Sequence, residues 1–243
     1  MSFDISFDEL RQKQYEKQLL DVEFKEITAK WLRKSVENRY SYGFNWLGIP
    51  IIQLPTDLVA FQEIVFNTKP TLIIECGVAR GGSIVFWASM QQLVGTKPRV
   101  IGIDIEIRQH ARRAIQESNF KNEILLIEGD STDHCTYSEV KNLIRTEDKV
   151  MVVLDSNHSH EHVLSELELY APLVSLDCFL LVLDTVIEDL PLDSGRPWGP
   201  GSSPKTAVFE YMKHHKEFSN MQDIENRIAI TVAPQGYWKR LEI

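Results

Sequence analysis

Two stretches of the chain concentrate residues that could do chemistry. The first is residues 71–83, Thr-Leu-Ile-Ile-Glu-Cys-Gly-Val-Ala-Arg-Gly-Gly-Ser. An apolar run ends in Glu75, glycines follow at 77, 81 and 82, and a helical pattern runs from Ile84 to Leu93. That order spells a buried strand, a tight turn and a helix N-terminus. Nucleotide-like ligands sit at such turns, because free backbone N–H groups and the helix dipole point at them and glycine lets the backbone approach closely. The spacing is not G-x-G-x-x-G, so the dinucleotide fingerprint matches poorly. The second stretch is residues 155–162, Asp-Ser-Asn-His-Ser-His-Glu-His, which sets a carboxylate beside three imidazoles. His158 and His162 are four apart and share a helix face, so His160 points away and a three-His zinc site is disfavoured.

A series of acids links the two stretches. Apolar strands are expected at Arg99–Ile103, Glu123–Ile127, Lys149–Leu154 and Cys178–Leu183. They run into Asp104, Glu128-Gly129-Asp130, Asp155 and Asp184. Any one of these acids alone reads as a turn former or helix cap. In a parallel sheet, however, the carboxyl ends of the strands line one crevice, so the series behind a glycine-rich loop points to a shared ligand.

The elements that must hold these groups alternate between strand and helix from Thr71 to Leu183, which implies a parallel sheet with right-handed crossovers. Before it, the segment to about Tyr40 reads as one or two amphipathic helices. Tyr40–Pro50 is aromatic and reads as a loop, either a hydrophobic plug or the wall of a pocket. A helix starts at Pro55-Thr56-Asp57 and runs to about Asn67. After Asp184 a long loop, Glu188–Pro204, carries Arg196-Pro197-Trp198-Gly199-Pro200-Gly201 and is expected to be an ordered cover over the ligand edge. A helix at Lys205–His215 and two closing strands, Arg227–Ala233 and Tyr237–Ile243, complete the reading. The expected division is a helical extension with the aromatic loop at 1–55 and a ligand-binding domain at 56–243.

Composition bounds the partners. The 243 residues carry a formal net charge of −9, with 43% hydrophobic and 25% charged residues. An acidic soluble domain of this kind argues against nucleic acid as partner. No run reaches the length of a membrane span, and the acidic N-terminus lacks a signal-peptide pattern. Cys76, Cys135 and Cys178 are an odd set without paired spacing, which reads as reduced thiols of a cytoplasmic protein.

Glu75-Cys76-Gly77-Val78-Ala79-Arg80-Gly81-Gly82-Ser83 resembles the first motif of class I methyltransferases that use S-adenosylmethionine, in the form of the catechol-type O-methyltransferases. More of the chain resembles the family named after cephalosporin hydroxylase, whose members share that fold and several of which methylate hydroxyls of antibiotics or sugars. The matching stretches are residues 44–48, the first motif, Gly102–Ile105, Gly129–Ser131, Leu154–His158, the Trp-Gly-Pro-Gly loop at 198–201 and Gly236–Arg240.

The resemblance implies a Rossmann-like α/β sandwich with a mostly parallel seven-stranded sheet. It implies that Gly77 and Gly81 cradle the methionine part of the cofactor, with Ser83 and Arg80 near its carboxylate and Glu75 orienting the loop or meeting its ammonium. Asp104 would take the ribose hydroxyls, and Asp130 would lie near adenine. Asp155 and Asp184 stand where the catechol-type enzymes hold magnesium, although Leu183 occupies a position where many relatives carry a second acid. His158, three residues after Asp155, stands where those enzymes carry a general base. A small hydroxyl-bearing substrate and a homo-oligomer also follow from the resemblance. Two other readings compete. A nicotinamide-dependent oxidoreductase uses an acid after the second strand, as Asp104 is. A non-catalytic cofactor-binding partner subunit would explain the departure at Leu183.

Overall fold

The computed structural model describes residues 5–191 and 196–242. Two helices open it, α1 (Ile5–Leu20) and α2 (Val22–Glu37). Asp21 separates them: its side chain accepts from the Phe24 N–H at 2.9 Å and caps α2, a strong start signal that ends one helix and begins the next.

The expected aromatic loop is instead a short 3₁₀ turn followed by a hairpin, β1 (Phe44–Trp46) and β2 (Ile49–Ile51). Leu47 and Gly48 at its tip both have positive φ, 49° and 86°. That is the backbone of a two-residue primed turn, whose usual sequence is Asn-Gly or Asp-Gly. Leu in the first position hides the signal. The hairpin packs as a plug: the Trp46 indole N–H donates to Ser89 Oγ at 2.9 Å and its ring meets Phe86 edge-on.

Then follow α3 (Pro55–Thr68), β3 (Leu72–Cys76), α4 (Gly82–Leu93), β4 (Val100–Asp104), α5 (Gln109–Glu117), β5 (Ile124–Glu128), α6 (His134–Leu143), β6 (Val150–Leu154), α7 (His160–Tyr170), β7 (Phe179–Val182), α8 (Pro204–Met212), β8 (Phe218–Asn220), α9 (Gln222–Ile228) and β9 (Tyr237–Arg240). The sheet order is β5-β4-β3-β6-β7-β9-β8, with β9 antiparallel to both neighbours. Every residue of the central strands β3 and β6 is buried, as expected for parallel strands covered on both faces. The order reverses at β3, so the crevice at the switch point opens beside the Gly77 loop and the end of β6. Among the described residues no helix is long and apolar enough to cross a membrane.

One expected strand is absent. Residues 227–233 form the end of α9 and a coil, and the penultimate strand is β8. The run Ile-Ala-Ile-Thr-Val has strand composition, but Ala229 takes a left-handed turn at φ 59°. The backbone beyond it then finds partners outside a ladder: the Val232 N–H donates to Asp57 Oδ2 at 3.0 Å, and its C=O accepts from Val186 N–H. Asp57, deep in the core, also accepts from the Tyr237 hydroxyl at 2.8 Å. A buried carboxylate takes the ladder's place.

Candidate active site

The loop after β3 is held by its surroundings. The Gly77 N–H donates to the Ile103 C=O at 2.7 Å, and the Asp155 N–H donates to the Cys76 C=O at 2.8 Å. A Cβ on Gly77 would lie 2.1 Å from the Asp155 carbonyl oxygen, and φ there is +106°. Both sterics and dihedral therefore demand glycine. Gly77→Ala is expected to cost at least about 3 kcal/mol, the scale of a forbidden dihedral plus a backbone clash, read as a lower urea midpoint with unchanged m-value.

Asp104 clasps the same loop. Its Oδ2 accepts from the N–H groups of Val78 and Ala79 at 2.9 and 3.2 Å, and its Oδ1 from Glu106 at 3.1 Å. Gly81, in the left-handed region, opens α4. Beside it Glu75 is wholly buried. Its Oε2 accepts from Ser83 Oγ at 3.1 Å; its Oε1 is buried with no donor in hydrogen-bond geometry, and the Trp87 indole N–H, likewise buried and unpaired, is the protein donor turned toward the carboxyl. Burial pushes the Glu75 carboxyl up to about 8, against the opposing pull of Trp87 and Ser83. The structure thus gathers Glu75, Gly77, Gly81 and Ser83 at one place. Arg80 is exposed and its guanidinium meets His110 on α5 at 3.1 Å.

Across the crevice, one ligand atom each from Asp155, His158 and Asp184 lies within 4.8 Å of the other two. His158 Nε2 is 3.2 Å from Asp184 Oδ2, and its ring meets Trp198 edge-on at 5.2 Å. The Trp198 indole nitrogen is buried without a partner. Asp184 itself adopts φ 54°, an uncommon state for a side-chain-bearing residue that Asp tolerates better than most. Burial first, then the charges of Asp184 and Glu75, hold the Asp155 carboxyl well above the usual carboxylate range.

The remaining groups of the acid and histidine series go elsewhere. Glu128 accepts from Arg112 and from the Ile107 N–H. Asp130 accepts from the Thr132 hydroxyl and N–H, and these bonds hold its carboxyl low. His160 Nδ1 meets Thr206 at 2.8 Å and ties α7 to α8. His162 joins Ser131, Ser156 and the buried Glu166. Burial pulls His162 down, but Glu166 and Asp130 outweigh it and hold the imidazole above its ordinary value. The sequence reading missed Gln53, whose Nε2 donates to Asp155 Oδ2 at 3.1 Å. No motif marks a glutamine between Ile52 and Leu54, and only the fold brings it to Asp155.

A seven-stranded sheet with β9 antiparallel, a glycine loop after β3 and acids at the following strand ends define the class I methyltransferase fold. A family model described as Rhamnosyl O-methyltransferase/CmcI matches residues 38–241. A rhamnosyl O-methyltransferase of Mycobacterium tuberculosis is 31% identical over 194 residues, covering 79% of this chain and 76% of that one. Among solved structures, an apo structure of CmcI superposes with a TM-score of 0.63 at 19% identity, covering 83% of this chain and 78% of that one. A CmcI structure with magnesium and S-adenosylmethionine gives 0.59 at 17% identity, with the same coverage. The chain belongs to the Rhamnosyl O-methyltransferase/CmcI family.

Proposed function

We propose that this protein transfers a methyl group from S-adenosylmethionine to a hydroxyl of a sugar or small specialised metabolite, with a divalent cation, magnesium, at the site. One observation carries the reading: acids crowd the crevice. Glu75, Asp155 and Asp184 lie at adjacent strand ends, and the charges that raise the Asp155 carboxyl are those of neighbouring acids, Asp184 and Glu75 first among them. The Oε1 atoms of Glu75 and Gln53 are buried acceptors without donors. Such a site fits a cationic ligand with an ammonium to donate, together with a dication. It disfavours the anionic pyrophosphate of a dinucleotide, which weighs against the oxidoreductase alternative. The names borne by the relatives, rhamnosyl O-methyltransferase and CmcI with magnesium and S-adenosylmethionine, point the same way.

The roles follow from position. The backbone at Gly77 and Gly81 cradles the methionine part and Glu75 meets its ammonium; Ser83, whose hydroxyl donates to Glu75, faces its carboxylate with its backbone N–H, and Arg80 serves that carboxylate only on leaving His110. Asp104 keeps one lone-pair position, on Oδ1, for a ribose hydroxyl beside the N–H groups it already accepts, and Asp130 lies toward adenine. Asp155 and Asp184 hold the cation. When bound, the cofactor supplies an activated sulfonium methyl, and the cation lowers the pKa of a coordinated hydroxyl. The chain's own work is alignment and proton removal. His158 takes the acceptor's proton on its imidazole, and the Asp184 carboxylate beside Nε2 orients the ring and stabilises the imidazolium. Trp198 packs against His158 and keeps water off it.

A boundary near residue 38 suits this assignment better than one at residue 55, because the Phe44–Ile51 hairpin packs on α4 and Gln53 bonds Asp155 within the cofactor domain. The apolar side chains that α2 leaves exposed, among them Ile27 and Trp31, suit a homo-oligomer contact. Free thiols at Cys76, Cys135 and Cys178 suit a reducing cytoplasm. Calorimetric titration with S-adenosylhomocysteine and with S-adenosylmethionine, with and without magnesium and with NADH as control, tests the reading. Micromolar binding of the adenosyl ligands is expected. Binding of NADH alone, or of none, would overturn it. Adenosyl binding without turnover of any hydroxyl acceptor would favour the partner-subunit alternative.

A further inference from the structure

Gln53 stands at the junction of the two halves of the site. It follows β2 and is 4% exposed. Its Nε2 donates to Asp155 Oδ2 at 3.1 Å, while its Oε1 is buried with no donor. The backbone just before it is pressed onto the start of α4: a Cβ on Gly82 would lie 2.3 Å from the Pro50 carbonyl oxygen and 2.8 Å from Ile51 Cα. The next residue of α4 is Ser83, the donor to Glu75. Gln53 is thus anchored between the strand end that carries Asp155 and the helix turn that faces Glu75.

A primary amide can serve both sides at once, because its N–H₂ donates while its C=O accepts. The donor half is used on Asp155. The acceptor half has no protein partner, and a buried carbonyl left unpaired is costly, so a bound ligand is the natural source of its donor. The cofactor assigned above brings an ammonium, and Glu75 Oε1, on the neighbouring strand end, is also an unpaired buried acceptor.

We propose that Gln53 couples cofactor and cation: its C=O accepts a hydrogen bond from the cofactor's ammonium while its N–H₂ fixes the Asp155 carboxylate with Oδ1 left for the cation. Gln53 is a positioning residue in this scheme, and the scheme rests on the cofactor and cation reading above. Ordering of the amide by one ligand prepares Asp155 for the other. By linkage, magnesium then tightens S-adenosylhomocysteine binding by the same factor as S-adenosylhomocysteine tightens magnesium.

The test is calorimetric titration of S-adenosylhomocysteine into the wild-type protein, Gln53→Leu and Gln53→Glu, each in excess magnesium and in EDTA. Magnesium is expected to tighten wild-type binding about fivefold or more, the lower end of typical coupling. In Gln53→Leu, binding in EDTA falls about tenfold, the scale of one hydrogen bond to a charged group, and the magnesium effect disappears. Gln53→Glu keeps an acceptor and loses the donor to Asp155. It binds in EDTA within about threefold of wild type, a small difference on the affinity scale, yet shows no tightening by magnesium. The coupling is a ratio measured within one variant, so a merely structural role for Gln53 would not selectively abolish it. Should Gln53→Leu fail to fold, Gln53→Glu decides. Wild-type coupling preserved in the variants, or wild-type binding indifferent to magnesium, overturns the proposal while leaving the cofactor reading intact. Absence of S-adenosylhomocysteine binding by the wild type overturns both.

Discussion

His158→Ala is expected to lower the single-turnover rate of methyl transfer by about 10²–10⁴-fold, the usual contribution of a positioned general base, with the affinity for S-adenosylhomocysteine changed less than about twofold. The separation follows from geometry. His158 contacts Asp184 and Trp198, whereas the methionine cradle is built from Glu75, Ser83 and the Gly77 loop. Asp184→Asn should lose rate as well. The double variant should lose little more than the worse of the two singles, because an imidazole and the carboxylate that orients it act as a unit. Rapid-quench assays against a panel of hydroxyl-bearing sugars would measure these rates. An active His158→Ala variant within about threefold of wild type would remove His158 from proton transfer, since no general-base role is that small.

The order of the sheet was legible because its signals are strong and local. Apolar runs of strand length, each ending at an acid and separated by helical stretches, admit few topologies. They placed Glu75, Asp104, Asp155 and Asp184 at strand ends, where the structure has them. What escaped depends on contacts distant in sequence. The Phe44–Ile51 hairpin turns on Leu47, a residue that does not advertise a primed turn. The run at 227–233 looks like a strand until Asp57 takes the Val232 N–H, a hydrogen bond spanning 175 residues. Gln53 reaches Asp155 across 102 residues. Arg80 has the right chemistry in the right loop, yet it extends to His110. Motif spacing fixes where the backbone goes. The side chain's choice among polar neighbours is set by tertiary packing.

Glu75 should report ligand binding as a proton. Buried on β3 against the start of α4, its carboxyl is raised from 4.5 to about 8, so at pH 7 the ligand-free protein holds it mostly neutral. An ammonium arriving at Oε1 favours the ionised form. Binding of S-adenosylhomocysteine at pH 7 is therefore expected to release close to one proton, and the release to shrink as pH rises through about 8. Titration in buffers of different ionisation enthalpy measures this directly. In Glu75→Gln the release vanishes and affinity falls about tenfold or more, the loss of a charge-assisted hydrogen bond. Stability moves the other way. A carboxyl raised in the folded state binds more protons there than in the unfolded chain between pH 4.5 and about 8, so the ligand-free wild type loses stability as pH rises through that window. A displacement of that size corresponds to on the order of 5 kcal/mol. Glu75→Gln removes it, and the variant should unfold at a higher urea concentration than wild type at pH 8.5 while matching it near pH 5. An acid kept at a cost to the empty fold is intelligible only if a cationic ligand offsets that cost. Wild-type binding without proton release at pH 7 would break the link between Glu75 and the ammonium.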